Sequence, residues 1–325
     1  LLPALYNLAA SRLLPLTGDI IGMAHGEFTD EEYRELARDS VREFSETGFD
    51  EKVWRRFATR LHYQRVDTAG YHAIAKRPVK NRLIYLAVPP NSFAEIVQWL
   101  GEVGLGEGTR VVFEKPFGTD LESSNDLDRV IHAVFHENQV FRIDHYLGKE
   151  TVQNILMFRF ANAMFERVWN RDAIDHVQIT ASEAIGIEGR GTFYEQVGAL
   201  RDVVQNHVLQ LLSLLAMEPP YSMEADAIRD EKAKVFHAMR PMDPKRTVRG
   251  QYVSGVVGGE GVPGYRQEPG VAPGSEVETY FAGVVEIDSW RWAGVPFYLR
   301  AGKRLAARQT EIAIVFRPAP LDRRT

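Results

Sequence analysis

The sequence contains no cysteine among its 325 residues. Disulfides, thiolate metal sites and cysteine nucleophiles are therefore excluded together. That absence is compatible with a reducing compartment, and the cytoplasm is the expected location. No apolar run reaches the roughly 20 residues that cross a bilayer as a helix. The start carries no basic segment ahead of an apolar stretch, so no secretory signal is read there. Positive charge is not in excess: 39 Lys and Arg stand against 44 Asp and Glu, a net charge of −5. This argues against a general nucleic-acid binder and leaves room for a local basic pocket. Two signatures are also missing, namely Gly-x-Ser-x-Gly and a Walker phosphate loop. There is no internal repeat and no low-complexity tract.

What is present suits a globular chain with a large core, 45% of the residues being hydrophobic and 26% charged. The length exceeds a single core and predicts two domains. Both ends read as unfinished. Leu1-Leu2-Pro3-Ala4-Leu5-Tyr6-Asn7-Leu8 reads as an amphipathic helix already under way, without an initiator Met. The chain stops at Asp322-Arg323-Arg324-Thr325, just after an apparent strand.

From residue 19 to about 146, strand and helix patterns alternate. Residues 19–24 form a short apolar strand, and Thr29-Asp30-Glu31-Glu32 is a capping box that opens a helix. Residues 61–67 read as a strand, and 83–88 are almost wholly apolar, as a strand covered on both faces should be. A helix at about 92–100, a strand at 110–114, a helix at about 121–137 and a strand at 140–143 follow. This alternation predicts a parallel sheet with helices on both faces. Ligands of such sheets sit beyond the carboxyl ends of the strands, here the segments after Val88, Phe113 and Ile143. Beyond 147 the pattern changes. It predicts helices at about 149–165, 193–216 and 224–239, a strand near 175–180, Gly- and Pro-rich loops over 253–275, and strands at 278–287, 295–300 and 310–317. Helices grouped apart from later strands indicate an α+β domain. The expected division is 1–147 and 148–325.

The densest polar stretch, Arg142-Ile143-Asp144-His145-Tyr146-Leu147-Gly148-Lys149-Glu150, falls between a strand and a helix. Lys149 in a first helical turn, with His145 and Tyr146, has the chemistry of an anion site; a charged surface turn is the alternative. Glu114-Lys115-Pro116-Phe117-Gly118 also ends a strand, with Pro116 holding Lys115 extended over the crevice or simply stopping the strand. Val88-Pro89-Pro90 also ends a strand and reads as a rigid turn, with a turn that shapes a cofactor groove as the second reading. His207 has Leu200, Val203, Val204, Leu211 and Leu214 at helical spacing and so lies on an apolar stripe, where most histidines are core residues. Arg201, Asp202, Gln205, Asn206 and Gln210 surround it, and so many polar groups are costly to bury unpartnered, which leaves a cleft open as the second reading. His132 and His136 share a metal-compatible spacing without a carboxylate frame, and no metal is assigned.

These motifs resemble one family. The 142–150 stretch is similar to the signature of glucose-6-phosphate dehydrogenases. The likeness extends through 114–118, 162–170, Glu188-Gly189-Arg190-Gly191, Arg201-Asp202-Val203-Val204-Gln205-Asn206-His207, Arg229-Asp230-Glu231-Lys232 and Arg300-Ala301-Gly302-Lys303, in order along essentially the whole chain. The resemblance implies a Rossmann-like α/β dinucleotide-binding domain followed by an α+β domain with a large, mainly antiparallel sheet. It also implies oxidation of glucose 6-phosphate at C1 to 6-phosphogluconolactone, the entry to the oxidative pentose phosphate pathway. By the same resemblance His207 is the general base and Asp144 its orienting carboxylate. His145, Tyr146 and Lys149 become sugar-phosphate ligands, and Lys115 bridges substrate and nicotinamide. Glu183 and Asp202 contact sugar hydroxyls, and Lys303 and Arg308 are further substrate cations. Pro89 belongs to the turn near the nicotinamide.

Two departures stand out. The family begins with a strand and a Gly-rich turn ahead of the segment matching Leu1-Leu2-Pro3, and its sheet continues past Thr325. Members using NADP often carry an Arg after the second strand, where this chain has Ala24-His25-Gly26-Glu27, so His25 takes the cofactor-binding position. NADP is the acceptor the resemblance implies, with NAD or dual use open. A homodimer or homotetramer is implied as well. The rival readings are a non-catalytic sugar-phosphate-binding subunit, an inert fragment, or a dehydrogenase of another sugar.

Overall fold

The computed structural model describes residues 1–79 and 81–319, and the chain end at 322–325 lies outside the described residues. Two compact units emerge, Leu1–Val112 with Asp128–Phe141, and Phe113–Leu127 with Arg142–Thr325. The expected alternation runs α1 (Leu2–Ala10), β1 (Ile20–Ala24), α2 (Asp30–Phe44), α3 (Glu51–Ala58), β2 (Leu61–Arg65), α4 (Thr68–Ala75), β3 (Arg82–Leu86), α5 (Phe93–Glu102), β4 (Thr109–Phe113), α6 (Leu121–His132) and β5 (Val140–Arg142).

β1 and β2 pair in parallel, Ile20 against Leu61 through Ala24 against Arg65. β3, β4 and β5 are hydrogen-bonded in that order as a second group. The capping box forms as expected: Thr29 Oγ1 accepts from the Glu32 amide at 3.2 Å, and Glu32 accepts from the Thr29 amide at 2.7 Å. Asp30 then ties the start of α2 to β2, accepting from the Tyr63 amide at 2.7 Å. Tyr6, Val41, Trp54, Phe57 and Leu61 form the core beneath. Leu83 of β3 is 65% exposed, where a strand covered on both faces was expected, and β3 has a hydrogen-bonded neighbour on one side only among the described residues.

The second unit contains α7 (Glu150–Phe160), α8 (Ala163–Val168), β6 (Ile174–Ser182), α9 (Gly191–Ala199), a π-helix (Leu200–Val208), α10 (Leu209–Ala216) and α11 (Ala225–Ala238). It continues with β7 (Thr247–Gly250), β8 (Gly255–Val257), β9 (Glu260–Val262), β10 (Tyr280–Val285), β11 (Phe297–Gly302) and β12 (Gln309–Phe316). Its five-stranded sheet has the order β12-β6-β11-β10-β7. β6 and β11 are parallel and the other three pairings antiparallel, so the sheet is mainly antiparallel, as the resemblance implied. Side chains alternate along β11: Phe297, Leu299 and Ala301 are buried, while Tyr298 and Arg300 face out. The buried face packs against Val203, Val204, Val208, Leu211 and Leu215 in one core.

Three local expectations are corrected. The helix at 149–165 is two helices, because Asn162 turns its side-chain amide back to the Phe158 carbonyl at 2.9 Å and leaves helical geometry. The loop at 253–275 contains the β8–β9 hairpin, turned by Gly258 and Gly259, both at positive φ. The single helix at 193–216 is broken at Gly198 and then winds as a π-helix. Its final turn is held firmly. Arg159, Trp169 and Trp292 donate to the carbonyls of Leu214, Leu215 and Ala216 at 2.9, 2.8 and 2.8 Å, satisfying acceptors that a helix end leaves open.

Gly198 has φ 64° and ψ 179°, a region essentially closed to other residues. A Cβ there would stand 2.5 Å from Glu278 Oε1, the atom that accepts the Leu200 amide at 3.0 Å. Gly198→Ala should therefore destabilise the chain by about 2–3 kcal/mol, read as a lowered midpoint in chemical denaturation. An unchanged midpoint would show that the break is not needed.

Candidate active site

Most of the residues singled out in the sequence meet within the second unit. Lys115 comes from the segment after β4, Asp144 to Lys149 from the segment after β5, and Glu183 from the end of β6. Asp202 and His207 lie on the π-helix, and Lys303 follows β11. The π-helix is what brings its two residues together. In an α-helix, residues five apart point about 140° away from each other. In a π-helix, bonded i to i+5, they fall on nearly one face.

His207 is 3% exposed, and its Nδ1 lies 2.6 Å from Asp144 Oδ1. The same oxygen accepts the Tyr146 amide at 2.9 Å. On the other side of the ring, Nε2 stands 3.3 Å from the Lys115 ammonium. An ammonium only donates, so Nε2 is the accepting nitrogen and Nδ1 carries the proton toward Asp144. Lys115 also donates to the Asp202 carbonyl and to Asp202 Oδ1, both at 2.9 Å. Asp202 Oδ2 is 3.8 Å from Lys303, whose ammonium is bonded to Glu183. Carboxylate, imidazole, ammonium, carboxylate, ammonium and carboxylate thus alternate along one line.

Burial pushes the Asp144 carboxyl up, but the hydrogen bond and charge of His207 and the Tyr146 amide hold it below its ordinary value. For Asp202, burial is likewise outweighed by Lys115, then Lys303 and Arg190. Both depressed carboxyls contribute stability above the ordinary carboxylate range and lose it as pH falls through their lowered values.

Beside His207, Tyr146 stacks on the imidazole at 4.0 Å, His145 meets it edge-on at 4.4 Å, and the Lys149 ammonium lies 3.6 Å over the Tyr146 ring. Lys149 is the N-cap of α7 rather than a first-turn residue. Asp144, His145 and His207 bring donor atoms within 4.8 Å of one another, a spacing that also suits a metal ion. Lys115 and Lys149 bring positive charge to His145, and Lys232 interacts with the Asp144 charge.

Arg308 is exposed between β11 and β12 and joins none of these bonds among the described residues. His25 and Pro89 are exposed residues of the first unit, His25 just after β1 and Pro89 at the turn after β3. Sequence reasoning missed Lys232, which is largely buried on α11 and donates to Gln210, one turn beyond His207. Burial pushes its pKa down while the Asp144 charge pulls it up. Its only signal was its place in the 229–232 motif.

Two family descriptions match the chain: "Glucose-6-phosphate dehydrogenase, NAD binding domain" over residues 1–154 and "Glucose-6-phosphate dehydrogenase, C-terminal domain" over 156–324. The chain belongs to the glucose-6-phosphate dehydrogenase family. It is 46% identical over 340 residues to a glucose-6-phosphate 1-dehydrogenase of Aggregatibacter actinomycetemcomitans, covering 98% of this chain and 68% of that protein. It is 44% identical to the solved glucose-6-phosphate 1-dehydrogenase of Mycobacterium avium, with a TM-score of 0.89 over 98% of this chain and 69% of that one. A glucose-6-phosphate dehydrogenase solved in complex with its substrate glucose 6-phosphate matches at 37% identity and a TM-score of 0.90, over 98% and 68%. The chain thus spans about two thirds of the length of these family members.

In this family member, burial pushes the His145 pKa down from its ordinary 6.5, as do His207, Lys115 and Lys149, against an upward pull from Asp144. Its imidazole proton should therefore titrate by NMR below 6.5. Inorganic phosphate should raise the midpoint, because a dianion favours the protonated ring. A midpoint that ignores phosphate would remove His145 from the anion site.

Proposed function

We propose that this chain carries the catalytic apparatus by which its family oxidises glucose 6-phosphate at C1 to 6-phosphogluconolactone, with hydride transfer to a nicotinamide dinucleotide. The observation that carries this reading is His207 held between Asp144 at 2.6 Å and Lys115 at 3.3 Å.

His207 Nε2 is the base for the anomeric hydroxyl proton. Once protonated, the ring is an imidazolium whose Nδ1–H already points at an ionised Asp144, the orienting logic of a His–carboxylate pair. Lys115 occupies Nε2 in the structure as it stands, so the substrate hydroxyl takes over that contact. Lys115 remains beside it on Asp202. Glu183 and Asp202, each held by an ammonium, orient the sugar hydroxyls, with Lys303 completing the set. His145, Tyr146 and Lys149 take the phosphate, helped by the amides at the start of α7. Arg308 approaches the substrate in this reading.

The dinucleotide supplies the hydride acceptor when bound. The residues present fit its adenosine end. Beyond the carboxyl ends of parallel β1 and β2 lies a cleft of about 500 Å³, lined by Phe28 and Tyr63 for the base and by Glu27. Lys115, Pro89 and His25 are its other proposed contacts. Between NADP, which the family resemblance implies, and NAD, the residues after β1 decide. The family's first strand and Gly-rich turn belong between β1 and β3, since the order 3-2-1-4-5-6 puts the first strand there. In this reading 1–147 is the dinucleotide-binding domain and 148–325 the substrate and oligomerisation domain. The outward sheet face with Gln178, Tyr298 and Arg300 makes a dimer or tetramer contact. The product enters the oxidative pentose phosphate pathway in the cytoplasm.

His207→Ala should lower kcat by about 10²–10⁴ while sugar-phosphate binding persists. His145→Ala and Lys149→Ala should raise KM more than they lower kcat. Steady-state kinetics with either dinucleotide decide. Full activity in His207→Ala would leave the proton without an acceptor and overturn the reading.

A further inference from the structure

We infer that Glu27 makes this chain select a dinucleotide whose adenosine ribose is unphosphorylated, NAD over NADP, with Arg65 neutralised in the same act. The inference rests on the dehydrogenase reading only for the class of ligand. Everything else comes from the cleft beyond β1 and β2.

Between Ala24, the last residue of β1, and Thr29, the cap of α2, the chain reads His25-Gly26-Glu27-Phe28 and carries neither Lys nor Arg. In a doubly wound sheet, an acid at this place accepts the ribose hydroxyls, whereas an Arg accommodates a 2′-phosphate. Three charged residues line the cleft: Glu27, Glu32 and Arg65. Arg65, at the end of β2, is the single cation among them, and it is already committed. Its Nη1 is bonded to Glu27 Oε1, and its Nε lies 4.0 Å from Asp67 Oδ2. The first turn of α2, whose free amides would otherwise welcome an anion, carries Asp30, Glu31 and Glu32.

The Glu27–Arg65 pair lies at the surface, with side chains 79% and 51% exposed, and such pairs open easily. Its strength therefore does not decide the selection. What decides is the charge left behind. A 2′-phosphate brings nearly two negative charges at neutral pH. If Arg65 swings to meet it, Glu27 stands bare beside the phosphate, with Glu32 and Asp67 close by. Ribose hydroxyls make no such demand. They donate to Glu27 Oε2, which has no hydrogen bond among the described residues, and Arg65 stays where it is.

Titration calorimetry of the full chain with NAD or NADP alone, without sugar phosphate, tests this directly. AMP and adenosine 2′,5′-bisphosphate serve as probes of the adenosine end. The unmodified chain should bind the unphosphorylated ligand of each pair about tenfold or more tighter. Glu27→Gln should shift that ratio about tenfold or more toward the 2′-phosphorylated ligand. Adding Arg65→Gln should abolish the gain, because the freed guanidinium is the phosphate's partner. Tighter NADP binding by the unmodified chain, a ratio indifferent to Glu27→Gln, or no binding of any of the four ligands would each overturn the inference. The expected preference without oxidation of glucose 6-phosphate would instead remove the dehydrogenase reading and leave this one standing.

Discussion

One ammonium organises the centre of this molecule. Lys115 has three hydrogens to give and meets three acceptors: the Asp202 carbonyl, Asp202 Oδ1 and His207 Nε2. Because it can only donate, it fixes which imidazole nitrogen bears the proton, and so defines the direction of the Asp144–His207 hydrogen bond. Because it is charged, it keeps Asp202 ionised despite burial. Remove its constraint and the roles of the histidine nitrogens are no longer determined.

The fold spends considerable effort to keep that geometry. Gly198 breaks the incoming helix, Glu278 catches the freed Leu200 amide, and the chain re-enters as a π-helix. Three buried side chains then seal the far end at the carbonyls of Leu214 to Ala216. A π turn gives up favourable backbone geometry and recurs at functional sites. Here its return is that Asp202 and His207 face the same ammonium.

Charge is distributed to match. The cluster around His207 sets the cations of Lys115, Lys149 and Lys303 against Asp144, Asp202 and Glu183, so positive charge stands close to each carboxylate. The cleft beyond β1 and β2 is the reverse, with its one cation outnumbered by acids. A chain with a net charge of −5 can bind two phosphorylated ligands because sign is arranged locally. The overall balance decides neither site.

Much of this was legible beforehand, for identifiable reasons. Period-2 burial in β11, the Thr29–Glu32 box and the strand-to-helix place of 142–150 are local patterns, and local sterics write them into sequence. The break at Asn162 depends on a competing hydrogen bond and the exposure of Leu83 on what lies over the strand, neither of which is a local pattern. The Gly258–Gly259 turn is local, but the strands it joins are only three residues each and carry no alternation to read. His207 marks the limit most clearly. On an α-helical period it belongs to an apolar stripe with Asp202 turned away. Sequence alone determined that a histidine, two aspartates and a lysine of one family's signature are present in order. Only the tertiary structure decided that they touch, because the choice between α and π winding depends on the clamp at Gly198 and on packing against a distant sheet.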